Sequence, residues 1–310
     1  MAITASMVKE LRESTGAGMM DCKKALTNTD GDMEKAVEWL RENGLAKAEK
    51  KAGRIAAEGI VKTFISEDGK NASMVEVNSE TDFVAKNDTF QNFVADVCQQ
   101  VNASSAADMD AFLAEAWAKD TSKTVKEELA SMVATIGENM NIRRFEKVSV
   151  DNGLVVDYIH AGGKIGVLIA AETDNTGAEV VECLKNVAMQ SAAMNPKYLS
   201  SDDVSEEYKE HEKEVLLAQA KNDPKNANKP DNIIEKMIIG RLNKELKEVC
   251  LTEQVYVKAE NKESVAQYVA AVAKNLGTDI KLVNFVRYET GEGLEKKEED
   301  FAAEVAAQMK

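Results

Sequence analysis

Proline is scarce. There are three in 310 residues, and Pro196, Pro224 and Pro230 all fall between 195 and 231. Elsewhere no ring interrupts a helix or strand by removing an amide donor. Histidine is scarcer still. His160 and His211 are the two, and neither has a cysteine nearby in sequence, so no zinc site is expected. The four cysteines, Cys22, Cys98, Cys183 and Cys250, lie far apart with no Cys-x-x-Cys pair. They are expected to be reduced and mostly buried, as in a cytoplasmic protein. No apolar run approaches the roughly 18 residues of a membrane span. The start, Met1-Ala2-Ile3-Thr4-Ala5, lacks the basic-then-apolar pattern of a secretory signal. No basic block stands out from a net charge of −15, and clusters such as Lys47-Ala48-Glu49-Lys50-Lys51 are diluted with acid. Nucleic acid is therefore not an expected partner.

Phosphate-binding and catalytic motifs are missing too. Gly16-Ala17-Gly18 lacks the third glycine of a dinucleotide loop, and Gly163-Lys164-Ile165 lacks the hydroxyl of a phosphate loop. No cofactor is expected. Gly-x-Ser-x-Gly does not occur, and a hydrolase built on His160 with Asp157 would have no motif-positioned nucleophile.

What is present reads as an α+β chain in several parts. Residues 1–54 form a helical module. Met7 and Leu11 lie at helical spacing, Gly16 and Gly18 break the pattern, and residues 20–26 resume it. Thr29-Asp30-Gly31-Asp32 is a turn with a cap. A third helix with Val37, Trp39 and Leu40 is expected to end at Asn43-Gly44, before a helical linker at 45–55. Three short helices with a glycine-rich first turn resemble the ubiquitin-associated fold. Met19-Met20 is either core or a surface that adapts to a partner.

Residues 55–145 read as strand, turn, strand and helix, then mostly helix. Residues 146–200 and 249–288 repeat the hairpin-then-helix grammar and add a strand at 254–258, a helix over 264–275 and a strand at 280–288. Glu-Thr-Asp closes both hairpins, at 80–82 and at 172–174, which suggests two related α+β units. After Pro196, residues 201–248 give two amphipathic helices joined by a polar loop that holds the other two prolines. Val204, Tyr208, His211, Val215 and Leu216 mark one stripe; Ile234, Met237, Ile238, Leu242 and Leu246 mark the other. The stripes either bury each other or hold a partner, including a second copy in a homodimer or 2:2 complex. Residues 289–310 read as a turn and a terminal helix with Phe301 and Val305 on one face.

The chain is organised around Glu80-Thr81-Asp82-Phe83-Val84-Ala85-Lys86-Asn87, where a strand hands over to a helix. Read locally, Thr81 or Asp82 caps the helix and Phe83 fills the core. The alternative is that Asp82 and Phe83 are presented outward, as element ends allow.

The run 81–87 is similar to the signature of the elongation factor Ts family. So are residues 11–26 (Leu11-Arg12-Glu13 through Lys24-Ala25-Leu26), Ile136-Gly137-Glu138-Asn139-Met140-Asn141-Ile142-Arg143-Arg144, Ile165-Gly166-Val167-Leu168, and the tail from Gly291-Glu292-Gly293-Leu294 to Asp300-Phe301-Ala302-Ala303-Glu304-Val305. The motifs occur in the family's order over nearly the whole chain. Gln190 and Val255 depart from the pattern, standing where relatives often carry His and Pro. The resemblance implies a non-enzymatic guanine-nucleotide exchange factor for elongation factor Tu. It implies contact and Mg²⁺ dislocation through Thr81, Asp82, Phe83 and Val84, and secondary contacts through Met19, Met20, His160 and Phe301. An adaptor or chaperone-like binding module is the alternative, resting on the N-terminal module and the helical hairpin.

Overall fold

The computed structural model describes residues 2–223 and 229–295. Phe301, Val305 and the expected terminal helix lie outside the described residues.

Three helices open the chain: α1 Ala5–Thr15, α2 Met19–Asn28 and α3 Met33–Lys51. They close a small core of Leu11, Cys22, Ala25, Leu26 and Ala36. The expected stop at Asn43-Gly44 does not occur, and the "linker" is the second half of α3. Asn43 donates to Trp39 O at 2.9 Å within the helix. Gly44 faces the later helix Val125–Ile136: a Cβ there would lie at ordinary contact distance, 3.8 Å from Ala130 O and 3.9 Å from the Ala134 side chain. The glycine lies at a helix crossing rather than at a terminus.

The chain then runs β1 Glu58–Ile65, β2 Asn71–Ser79, α4 Asp82–Ala85, α5 Asp88–Ala103, α6 Met109–Ala114, β3 Ala116–Trp117, β4 Asp120–Thr124, α7 Val125–Ile136 and β5 Met140–Ser149. Residues 101–145 are thus less helical than expected. A small hairpin occupies 116–124, and β5 forms the outer strand of a sheet ordered β1-β2-β5. As an edge strand, β5 carries charge at Arg143, Arg144, Glu146 and Lys147, which hides its period-two apolar residues Met140, Ile142 and Val148.

A second unit follows: β6 Gly153–His160, β7 Ile165–Glu172 and α8 Ala178–Met194, then α9 Glu206–Asn222, α10 Asp231–Val249, α11 Val265–Leu276 and β8 Lys281–Glu289. Its sheet is ordered β6-β7-β8 and, like the first, is antiparallel throughout. Residues 254–258 are not a strand but an irregular bend-and-turn segment with one bridge, Val255 to Ser264. Gln190 satisfies part of its backbone: the amide donates to Val255 O at 3.1 Å and the side-chain oxygen accepts from Val257 N–H at 2.9 Å. The helical stripes at 204–246 pack on each other around Val204, Leu216, Ala220, Ile234, Ile238, Leu242 and Leu246. His211 and Val215 face solvent instead, and Ala220 takes the place expected of them.

The two sheets lie back to back. In β2, Val75 and Val77 face α5, whereas Ala72 and Met74 meet Val155, Leu168 and Ala170 of the second sheet. In β7, Val167, Ile169 and Ala171 face α8. Both middle strands are covered on two faces; β7 reads as a nearly continuous apolar run, whereas β2 also buries the polar residues Ser73, Glu76, Asn78 and Ser79. The units also share a register. Gly59 opposite Asn78 and Gly153 opposite Glu172 hold the same place. The pairing with the third strand slips between Glu76 and Val77 in one sheet and between Ala170 and Ala171 in the other. The two related units are present, but Glu172 matches Asn78, so the Glu-Thr-Asp triplets that suggested them are out of register.

Candidate functional site

α4 is a single turn at the end of β2, and local chemistry explains it. Thr81 is the N-cap and its hydroxyl accepts from Val84 N–H at 3.3 Å. The same hydroxyl donates to Glu138 Oε1 at 2.7 Å, and the Thr81 N–H donates to Glu138 Oε2 at 3.0 Å. Glu80 is held as well, accepting from Asn139 N–H at 2.5 Å. Asn87 then caps α5, accepting from Thr89 N–H at 2.8 Å. Val84 and Ala85 point inward to Val75, Val77 and Phe90.

With the turn anchored on that side, Asp82 and Phe83 stand on the other. Phe83 is 80% exposed, the most exposed of the large apolar side chains among the described residues. The reading that placed it in the core is overturned. The cap took Thr81, and the inward positions of so short a helix went to Val84 and Ala85. Val84, at 9% exposure, supports the tip from below. Lys86 Nζ lies 2.6 Å from Asp82 Oδ2. That bond outweighs the opposing desolvation and, with the charges of Lys86 and Lys164, holds the Asp82 carboxyl below its usual range.

Lys164 belongs to the turn between β6 and β7. Its ammonium pairs with Glu58 at the start of β1. Gly163 O accepts from Val61 N–H at 2.7 Å, so this turn sits on β1, against which α4 also packs. His160 stands at the same turn, exposed, with Nδ1 3.0 Å from the Tyr158 hydroxyl. The fold therefore brings α4 and the turn that carries His160 onto one strand, β1, although they come from different units.

Met19 and Met20 open α2 and are 59% and 65% exposed, so neither is core. Beyond them a cleft of about 360 Å³ separates the N-terminal helices from α7 and the 116–124 hairpin; Trp39, Asp21 and Lys47 are among its lining residues. Two of its basic side chains are paired: Lys47 with Asp21 at 2.7 Å and Arg41 with Glu127 at 3.2 Å. Among the described residues no group of three or more His, Cys, Asp or Glu could hold a metal ion, and no helix is long and apolar enough to cross a membrane. The four cysteines are buried and unpaired.

Sequence reasoning missed Glu138 and Lys164 as parts of this site. Glu138 lies inside a recognised motif, but nothing local ties it to Thr81, 57 residues away.

The chain is similar to known proteins over nearly its whole length. The family model "Elongation factor TS" matches residues 80–292. The chain is 58% identical over 308 residues to Elongation factor Ts of Clostridioides difficile (strain 630), covering 99% of both. It is 53% identical over 307 residues to that of Clostridium tetani (strain Massachusetts / E88), again covering 99% of both. To that of Clostridium botulinum (strain ATCC 19397 / Type A) it is 52% identical over 307 residues, covering 99% of this chain and 98% of the relative.

Proposed function

The chain belongs to the elongation factor Ts family and has a role in translation elongation; from that premise we propose that it binds elongation factor Tu·GDP in the cytoplasm and promotes GDP release. The observation that carries this reading is the exposure of Phe83 on an anchored helical turn, beside an ionised Asp82.

The reading requires no covalent chemistry. The partner holds GDP with a phosphate loop and Mg²⁺. Phe83 enters an apolar gap between the partner's helices, and burying such a ring contributes about 2–3 kcal/mol. That energy is available only when the gap is open, so binding favours the distorted partner. Asp82 stands at the metal region and disturbs the groups that hold Mg²⁺. Without the cation the phosphate charge is uncompensated and GDP loosens. Thr81 and Val84 hold the tip, while Met19, Met20 and His160 supply further contacts. The coupling is reciprocal: the factor lowers nucleotide affinity, so incoming GTP lowers affinity for the factor.

The test is stopped-flow release of a fluorescent GDP analogue from elongation factor Tu, with and without this chain. Faster release, and binding that weakens as GDP is added, supports exchange. Binding indifferent to GDP supports the second reading, a protein-binding adaptor, which the exposed Met19-Met20 pair favours.

A further inference from the structure

The two sheets are tied together just past β8, at Thr290-Gly291. The Gly291 N–H donates to Glu76 Oε1 at 2.8 Å. Glu76 is fully buried between the sheets, where it also meets Arg143 at 3.0 Å and Arg144 at 2.6 Å. On the other side, the Thr290 hydroxyl donates to Gly163 O and its N–H to Lys164 O, both at 2.9 Å. Gly291 has φ +72°, and a Cβ there would lie 2.2 Å from Ala57 O, so no side chain fits. The turn carrying His160 is thus tied through Thr290-Gly291 to Glu76, and Glu76 lies in the strand that ends at the Phe83 helix.

We propose that Glu76 is a positioning residue for exchange: by anchoring Thr290-Gly291 it fixes the His160–Lys164 turn against the Phe83 helix, so that the two contacts act on the partner as one rigid pair. The inference rests on the exchange reading above. A wedge distorts its target only if its mount does not yield. A compliant mount still lets both contacts form, but on an undistorted partner. Affinity then survives while acceleration falls.

The test uses the full chain and elongation factor Tu loaded with a fluorescent GDP analogue, with release followed as the factor is raised to saturation. Glu76→Gln keeps the shape but loses the charge that both arginines need. Thr290→Val removes only the hydroxyl bond to Gly163, and Thr290→Ser restores it. The expected plateau rate falls about ten-fold in Glu76→Gln and about three-fold in Thr290→Val, as small misplacements of a contact group do. The half-saturating concentration stays within about two-fold for a contact that still forms, and Thr290→Ser matches the parent. Equal plateaus in folded variants overturn the inference, as does a plateau that falls only in step with affinity. If Glu76→Gln fails to fold by circular dichroism, Thr290→Val against Thr290→Ser decides alone. A parent chain that accelerates nothing overturns the exchange reading itself, a separate outcome.

Discussion

The carboxylate of Glu138 takes both hydrogen bonds that Thr81 can give, from the N–H at 3.0 Å and from the hydroxyl at 2.7 Å. The presented tip is therefore secured by a residue that is not itself presented. Glu138→Ala leaves two donors without their charged acceptor, a loss of about 2 kcal/mol in a partly buried site. Urea unfolding should show that loss, and stopped-flow GDP release should slow although Asp82 and Phe83 are intact.

Neighbouring residues should separate stability from function. Phe83→Ala removes a ring that touches mostly solvent, so unfolding free energy should stay within about 0.5 kcal/mol of the parent. Binding to elongation factor Tu should weaken roughly 30-fold or more if the ring enters an apolar gap. Val84→Ala should do the reverse. It opens a cavity beside Val75 and Phe90 and costs about 2 kcal/mol of stability. Thermal melts and titration calorimetry on the two variants give the comparison.

The ion pair on α4 has its own signature. The hydrogen bond from Lys86 is the main reason the Asp82 carboxyl titrates below its usual range, with Lys164 adding positive charge. Lys86→Met removes bond and charge together and leaves the smaller effects of Lys164 and of a backbone N–H. The Asp82 pKa should then rise toward the ordinary carboxylate value while remaining well under neutrality. A carboxyl-carbon NMR titration of parent and variant reads this directly. An unchanged pKa would mean that Lys86 does not hold the carboxylate in solution.

The helical hairpin uses its stripes on itself. Leu242 is buried among Leu216, Ile234, Ile238 and Leu246. Leu242→Ala should cost about 2–4 kcal/mol of local stability. Hydrogen exchange should quicken in α9 and α10, while the core amides and the rate of GDP release stay as in the parent.

Legibility in the sequence followed the range of the interactions. The Thr81 cap and the Gly277 end of α11 depend on neighbours a few residues apart, and both are local signals. Phe83 misled the local reading because its inward rivals, Val84 and Ala85, take the core only once β2 and α5 are in place. Gly44 resembled a helix end because its true partner, α7, is some 90 residues away in sequence. β5 escaped notice because an edge strand needs few apolar residues. The segment 254–258 has strand composition, but part of its polar backbone goes to Gln190, a departure from the family pattern that proves to be a buried, fully bonded amide.

Glu76 should make acid stability diagnostic. Burial alone would raise its pKa. The bonds from Gly291 N–H and Asn78, with the charges and bonds of Arg144 and Arg143, outweigh burial and hold the carboxyl below the usual glutamate value of 4.5. A depressed folded pKa means that the stabilisation is fully present above the unfolded value and is lost as pH falls through the folded one. Glu76→Gln has no proton to bind and leaves two arginines facing a neutral group, a cost of about 3–5 kcal/mol at neutral pH by analogy with broken buried pairs. Urea unfolding of parent and variant from about pH 7 to about pH 3 isolates this carboxyl, because the other acids are common to both chains. The gap between them should be constant down to the usual glutamate range and should then narrow as the parent takes up its proton. A gap that stays constant throughout would show that Glu76 binds protons equally in both states, and that the two arginines and Gly291 do not hold it ionised.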